Sequence, residues 1–367
     1  MEIKRQRGFT LVELMIAMAV FVLVIAAATS IFVPLLVQFK QQSKMAETNI
    51  EGLVGLELLR TDIEHAGFGL PWSFQAGSIS YTEPASPPDA SDAPGNAPRA
   101  ILSLSGYTTN INSDPSASSD YLVIKSSVVA RNDTAQRWSY IAPGENMKTF
   151  GTDDDLVPGD QVILLKYAGD KDPRQLVMVD ANTFSTTPPI PSAYSPGDLD
   201  GGFFIYGIDS PGAQIVMPFN RADYFISNSS VPARCAPNTG VLTKVIANPE
   251  TGALNTSLPL PLLDCVAGMR VIFREENVNG IWTNADQLDA AGLNAAENIR
   301  NALKEVRIYI LAHEGQEDMS YTYPNPTITL AEDMPATYQR TFTIGPDWAH
   351  YRWKVYTIVA RPTNLVQ

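Results

Sequence analysis

The chain divides into a long apolar N-terminal stretch and a body in which short apolar runs alternate with polar turns. Residues 9–33 contain one charged residue, Glu13. At about 1.5 Å per residue, a helix of this length extends about 37 Å, which is enough to cross a hydrocarbon core of about 30 Å. The pattern therefore predicts a single membrane-spanning helix over residues 9–33.

The helical pattern continues over residues 34–66, with apolar positions three or four residues apart. Pro34 lacks a backbone N–H and predicts a kink where the helix leaves the membrane. Gly52 and Gly55 either allow close backbone contact or form a loose turn, and Gly67 predicts the end of the helix. The positions that predict the face packed against the body are Ile50, Leu53, Leu56, Leu59 and Ile63.

Beyond this helix, residues 67–119 are rich in Pro and Ser and predict an exposed loop insertion, or alternatively a display loop that contacts a partner.

Residues 120–367 predict a β-rich globular head with an insertion or second lobe near 120–235. A short helix is expected over 293–303. The predicted fold class is α+β, with a long kinked N-terminal helix packed on a mostly antiparallel β head. The strands are expected at 121–125, 161–167, 175–180, 203–208, 223–228, 269–274, 306–311, 341–344 and 351–360.

A short basic leader, residues 1–8, precedes the apolar run. Its net positive charge predicts that this end stays cytoplasmic and that the chain after residue 33 lies outside. The apolar run is longer than that of an ordinary secretory signal. The small residue with suitable flanks for cleavage is Gly8, which lies before the run. Cleavage there would remove the leader and keep the helix.

Glu13 is costly on a membrane helix and needs a partner. If the chain is cut between Gly8 and Phe9, a new α-amine appears at Phe9. The Glu13 carboxylate of one chain can then pair with the Phe9 amine of another chain. The alternative is a plain membrane anchor in which Glu13 reaches the interface.

The segment GFTLVEL at residues 8–14, with its basic leader and long apolar run, resembles the N-terminus of type IV pilins and type II secretion pseudopilins. The resemblance implies cleavage after Gly8 by the prepilin peptidase and N-methylation of Phe9. It also implies that Glu13 acts in subunit docking. The expected location is the inner membrane, with a periplasmic head, and then the pilus fibre or its tip.

Two further segments, LLRTDIEHAGFG at 58–69 and ALKEVRIYILAH at 302–313, resemble PilW-like minor pilins, although Glu64 and His65 stand where an arginine is common. The implied function is a minor pilin that helps initiate or cap pilus assembly, with other minor pilins and the major pilin as partners. A tip pseudopilin of type II secretion and a pilus-tip adhesin remain as alternatives.

The two cysteines, Cys235 and Cys265, both lie in the part expected outside the membrane. In an oxidising compartment we expect them to form a disulfide, and two free thiols are the alternative. Closing a loop of about 30 residues would stabilise the fold by roughly 3–4 kcal/mol.

Charge and motifs exclude several functions. A net charge of −13, with 18% charged residues, argues against a nucleic-acid-binding surface. The three histidines, His65, His313 and His350, have no zinc-type spacing, and no nucleotide loop or nucleophile elbow is present. A membrane-anchored enzyme therefore lacks a motif to support it, and we predict a structural protein.

No cofactor is expected, with one open question over calcium. Asp153, Asp154 and Asp155 lie in one Gly/Pro-rich turn, and Asp198 and Asp200 lie in another. Oxygen ligands in such turns can bind calcium, but Asp is also a favoured turn residue, so solvated turns are the default interpretation.

Overall fold

The computed structural model describes nine stretches of the chain. For residues 33–34, 37, 41, 44–49 and 51 it describes the backbone alone. The described residues are 10–74, 79–105, 119–151, 153–166, 174–178, 183–197, 201–276, 279–285 and 296–365.

The N-terminal helix, α1 (Leu11–Glu64), is one element of 54 residues. At about 1.5 Å per residue it extends about 81 Å. The helix continues through residue 34, so the apolar half of membrane length and the half that contacts the head form one continuous helix. The kink expected at Pro34 stays a prediction.

The helix ends where the sequence predicts. Gly67 follows the last turn with φ +79°, a left-handed conformation that favours glycine. Its backbone N–H donates to the Lys125 carbonyl at 3.0 Å. Thr363, near the C-terminus, donates its backbone N–H to the Glu64 carbonyl at 3.1 Å, which satisfies one of the open carbonyls of the last turn.

In the described residues that follow, the chain forms seventeen strands and a second helix, α2 (Ala296–Ala302). The strands are β1 (Ser73–Phe74), β2 (Ile101–Leu104), β3 (Tyr121–Ser126), β4 (Trp138–Ile141), β5 (Gln161–Lys166), β6 (Gln175–Leu176), β7 (Ser185–Thr186), β8 (Phe203–Asp209), β9 (Asn220–Ser227), β10 (Gly240–Asn248), β11 (Ala253–Leu254), β12 (Leu260–Glu276), β13 (Trp282–Ala285), β14 (Leu303–Glu314), β15 (Thr327–Leu330), β16 (Arg340–Thr343) and β17 (Arg352–Ala360).

The main sheet has the strand order β17-β14-β12-β10-β9-β3-β2, with β11 beside β10 and β13 beside β12. All of its pairings are antiparallel. A second sheet, β1-β6-β5-β8-β4 with β7 beside β5, takes most of its strands from the chain between β3 and β9. Because β3 and β9 pair with each other, this second sheet is an insertion into the main one, and it lies where the sequence predicts an insertion or second lobe.

The α1 helix packs on the main sheet through its last three turns. Ile50 and Leu53 are 64% and 62% exposed, so the prediction that they belong to the packed face is wrong. The packed face begins instead at the glycines, because a Cβ at Gly55 would overlap the carbonyl of Leu262 on β12. Gly55 therefore serves close backbone contact, Gly52 leaves room for the Leu263 side chain, and neither forms a loose turn. The buried positions of this face are Gly52, Gly55, Leu56, Leu59, Asp62 and Ile63.

The described part of the predicted 67–119 loop insertion is not an exposed loop. Residues 101–104 form β2, an edge strand of the main sheet, and residues 79–100 lie against the sheet. The prediction failed because it treated the polar residues of this segment as solvated, whereas several of them are buried. The buried side chains are those of Ile79, Tyr81, Glu83, Ala90, Asp92, Arg99 and Ala100.

A cluster of buried charges fastens this segment to the outer face of the sheet, away from α1. The Lys125 ammonium contacts a carboxylate oxygen of Glu83 and one of Asp92, each at 2.6 Å. Arg221 lies 3.2 Å from Glu83, and Arg99 lies 2.6 Å from Asp92. These charges are compensated pairwise, which is the condition under which burial is tolerated.

A second cluster lies on the inner face, between α1 and the sheet. Asp62 of the helix is 3% exposed, and its Oδ2 accepts hydrogen bonds from the Lys244 ammonium at 2.8 Å and the Tyr224 hydroxyl at 2.7 Å. The Arg131 guanidinium donates to Oδ1 at 3.0 Å. Burial lowers the pKa of Lys244, and the Asp62 carboxylate opposes that shift. Burial also raises the pKa of Tyr224, and Asp62 adds to the increase.

We expect Gly55→Ala to destabilise the protein, although alanine usually favours a helix interior by about 1 kcal/mol. The added methyl group must push α1 away from Leu262, and overpacking of this kind typically costs about 1–3 kcal/mol. Denaturant unfolding of the full chain in a neutral detergent should show a net loss of at least about 1 kcal/mol.

Gly345→Ala is the matched control, because no atom lies within 4 Å of a Cβ at that position. It should change the free energy of unfolding by less than about 0.5 kcal/mol. Equal stability of the two variants and the wild type would contradict the close contact at Gly55.

We expect Asp62→Asn to cost about 3–5 kcal/mol, because it leaves the buried Lys244 ammonium without its carboxylate. Lys244→Met should also destabilise, and the double variant should recover part of the loss in a double-mutant cycle. The exposed Arg60–Glu64 pair of the same helix provides the control, since Glu64→Gln should cost less than about 1 kcal/mol. A cycle without coupling energy would show that the pair does not hold the helix to the head.

Candidate assembly helix

The first half of α1 is an exposed apolar surface. The segment Leu11–Phe32 is long and apolar enough to cross a membrane, and it is the single such helix in the described part of the chain. None of this segment is buried against the head. Exposure of so much apolar surface to water is unfavourable, so the segment requires lipid or the helices of other proteins around it.

Glu13 and Thr10 form a capping box at the start of this helix. The Thr10 backbone N–H and its hydroxyl both donate to Glu13 Oε2 at 2.9 Å, and the Glu13 backbone N–H donates to Thr10 Oγ1 at 3.3 Å. This arrangement satisfies N–H groups that have no partner within the helix. Within the described residues, Glu13 Oε1 accepts no hydrogen bond, so one carboxylate oxygen stays available to a partner.

Glu13 lies at one end of a shallow apolar groove along the helix, lined by Ile16, Val20 and Val24 among others. A charged group at the end of an apolar stripe allows helix packing and ionic pairing to act together. Gly8 and Phe9, where cleavage and methylation are predicted, lie outside the described residues.

A second exposed apolar surface lies where α1 leaves the head. Ile50 and Val54 of the helix and Leu260 of β12 are exposed beside each other along a groove that continues to Asp264. The glycines that bring the helix close to β12 lie at the floor of this groove.

The predicted disulfide between Cys235 and Cys265 is confirmed, with a Cα–Cα distance of 4.9 Å. It links the loop before β10 to the interior of β12. The bond closes a loop of 30 residues and is therefore expected to stabilise the fold by roughly 3–4 kcal/mol.

The ring of His313 lies beside this disulfide, which the sequence did not predict. The two sulfur atoms and a ring nitrogen lie within 4.8 Å of one another. His313 Nε2 accepts the Ala236 backbone N–H at 2.8 Å, and the ring packs against Tyr351 and Trp353. Burial lowers the pKa of His313 to about 4, so the ring is neutral near pH 7. The disulfide occupies both sulfurs, and the arrangement is a packed core.

The acidic turns and the remaining histidines have local roles. Asp155 accepts the backbone N–H groups of Phe150 at 2.6 Å and of Gly151 at 2.8 Å, which closes its turn. Asp153 and Asp154 are exposed, and Asp198 and Asp200 lie outside the described residues. His65 and His350 contact the carbonyls of Thr61 and Tyr321, respectively. Calcium binding at the acidic turns stays a prediction.

Comparison with known proteins places the similarity at the N-terminus. Residues 3–29 match the prokaryotic N-terminal methylation motif. Among solved structures, a similar chain is the type IV-like pilin TTHA1219 from Thermus thermophilus, at 16% identity over 41% of this chain and 80% of that chain, with a TM-score of 0.20. No curated protein matches the chain.

The methylation motif and the membrane-length helix occupy the same residues, and the rest of that helix is built into an antiparallel β head. On this basis the chain has the N-terminus of a type IV pilin-like protein.

Proposed function

We propose that this protein is a minor type IV pilin that helps to initiate or cap a pilus. The observation that carries the proposal is the division of α1, a single helix with one half fully exposed and apolar and the other half packed into the head. Such a helix can enter a bundle of similar helices while its head stays at the surface of that bundle.

Assembly would follow processing of the N-terminus. The prepilin peptidase would cut after Gly8, and Phe9 would be methylated. The head would lie on the periplasmic side of the inner membrane, opposite the basic leader, until the subunit enters the fibre. Glu13 would then pair with the Phe9 amine of a neighbouring chain, because a carboxylate among apolar helices is stabilised by a cation.

The attachment of α1 to the head supports this role. The Asp62 cluster and the close contact at Gly55 resist separation of the helix from the sheet. When α1 moves from the membrane into a fibre, the head therefore moves with it. The exposed groove around Ile50, Val54 and Leu260 is a surface on which a neighbouring subunit can pack.

The size of the head supports a subunit of low copy number. The second sheet is inserted between neighbouring strands of the main sheet, and a separate β15–β16 hairpin packs on β14. Such additions are hard to accommodate at every lateral position of a thin fibre but fit at its end. A tip pseudopilin of type II secretion would use the same helix, and the fibre in which the chain is found decides between the two.

We expect Glu13→Ala to enter the membrane normally but to reduce incorporation into fibres at least about tenfold, which corresponds to about 1.4 kcal/mol. The measurement is quantitative immunoblotting of sheared fibres against the membrane fraction. Thr10→Ala removes the partner in the capping box but keeps the carboxylate, so it should incorporate much better than Glu13→Ala.

Glu57→Ala is the control on the exposed side of the head half of the same helix, and it should incorporate like the wild type. Wild-type incorporation of Glu13→Ala would contradict the proposed pairing. If Thr10→Ala and Glu13→Ala reduce incorporation into fibres equally, the loss is due to helix capping and not to pairing of the Glu13 carboxylate.

We expect purified fibres to contain a few copies of this chain, located at one end. Quantitative mass spectrometry against the major subunit, with gold labelling of the head, measures both number and position. A stoichiometry close to that of the major subunit, or labelling along the whole fibre, would overturn the minor-subunit assignment and leave the pilin-like identity unchanged.

A further inference from the structure

Two arginines of the head lie over the ring of one tryptophan. The guanidinium carbon of Arg174 lies 4.6 Å from the centroid of Trp72, and that of Arg300 lies 4.7 Å from it. The two charges are therefore within about 10 Å of each other, about one Debye length at 0.1 M salt. Trp72 lies just after the end of α1, Arg174 just before β6, and Arg300 on α2.

Neither guanidinium lies within 4.0 Å of a carboxylate oxygen of the described residues, although Glu297 of α2 acts on Arg300 at longer range. Arg174 donates a hydrogen bond to the Gly67 carbonyl at 3.3 Å, which holds it in place but does not neutralise it. Every other described arginine lies within 4.0 Å of a carboxylate. In a chain with a net charge of −13, two neighbouring arginines that form no direct ion pair with a described carboxylate are exceptional.

The electrostatics of the pair are unfavourable as it stands. Burial lowers the pKa of Arg174. Burial is also the largest cause of the lowered pKa of Arg300, where the Glu297 carboxylate opposes the shift and the Arg174 charge adds to it. The indole N–H of Trp72 is also buried and has no hydrogen-bond partner among the described residues. A buried donor without an acceptor costs about 1–3 kcal/mol. An anionic ligand bound at the guanidinium groups would offset the cost of the two neighbouring charges, and a ligand that also reaches the indole N–H would supply its missing acceptor.

A structural arginine–tryptophan stack elsewhere in the head provides the contrast. Arg274 lies 4.6 Å from the centroid of Trp282, the same distance as in the first stack. Its guanidinium, however, contacts Glu305 at 3.2 Å. An arginine in this fold can therefore stack on a tryptophan ring and contact a carboxylate at the same time. The arginines at Trp72 differ because no carboxylate of the described residues accepts their hydrogen bonds.

We propose that Arg174, Arg300 and the Trp72 indole N–H form a binding site for an oxyanion, a carboxylate or a phosphate group. Guanidinium groups present paired N–H donors that match the two oxygens of such a group, and the indole adds a single donor. Both arginines are partly exposed, so a ligand can reach them from solvent. The site lies beyond the end of α1 that is remote from the membrane segment, where a pilin head can meet molecules outside the cell.

The test is a titration of the full chain in neutral detergent, labelled with ¹⁵N at the indole nitrogens. The chain has five tryptophans, and the Trp72 signal is assigned with Trp72→Phe. Inorganic phosphate or acetate, added at constant ionic strength, should shift this signal saturably, with a midpoint of about 10 mM or below. The more effective anion tells whether the natural ligand carries phosphate or carboxylate.

Arg174→Gln and Arg300→Gln should each raise the midpoint at least about tenfold, whereas Arg274→Gln should leave it unchanged. If Trp72→Phe does not fold, the melting temperature supplies a second readout, because an anion that binds the native state raises it. Phosphate or acetate should then raise the melting temperature of the wild type but not of the Arg174→Gln/Arg300→Gln double variant. The absence of a saturable shift with either anion up to about 100 mM, or an equal shift in the double variant, would overturn the proposal.

Discussion

The buried carboxylate of Asp62 determines how the long helix joins the head. It lies on α1 between Lys244 and Tyr224 of the sheet, with Arg131 on its other oxygen. A buried charge without a partner would be strongly unfavourable. The helix is therefore stable only in the orientation and position on the sheet that bring Asp62 to these partners. Apolar packing alone could tolerate a helix shifted along the sheet, whereas this set of hydrogen bonds specifies one position.

Buried charge pairs are a general feature of this head. The outer face of the main sheet carries Lys125 and Arg221, which pair with Glu83 and Asp92 of the covering segment. A chain with only 18% charged residues thus places many of them inside. Replacing such pairs by apolar residues is often neutral for stability, but breaking one partner is costly. These pairs therefore select one arrangement of loop, sheet and helix.

The two halves of α1 therefore have different functions. The half over Leu11–Phe32 has no partner within the described chain, and its apolar surface requires lipid or other helices. The other half is held by the head through close backbone contact at Gly55 and the charges around Asp62. Because both halves belong to the same helix, packing of the first half with a neighbour sets the position of the head.

The sequence by itself determined the membrane-length helix, its end near Gly67, nine of the seventeen described strands and the Cys235–Cys265 pairing. Each of these depends on local periodicity, local turn chemistry or a unique pair of residues. Only the tertiary structure decided which polar residues are buried, that residues 79–105 form part of the sheet and its cover, and that Arg174 and Arg300 meet over Trp72. A charged residue has the same local pattern in a solvated loop and in a buried pair, and its partner is distant in the chain. Its environment is therefore set by the packing of the whole fold.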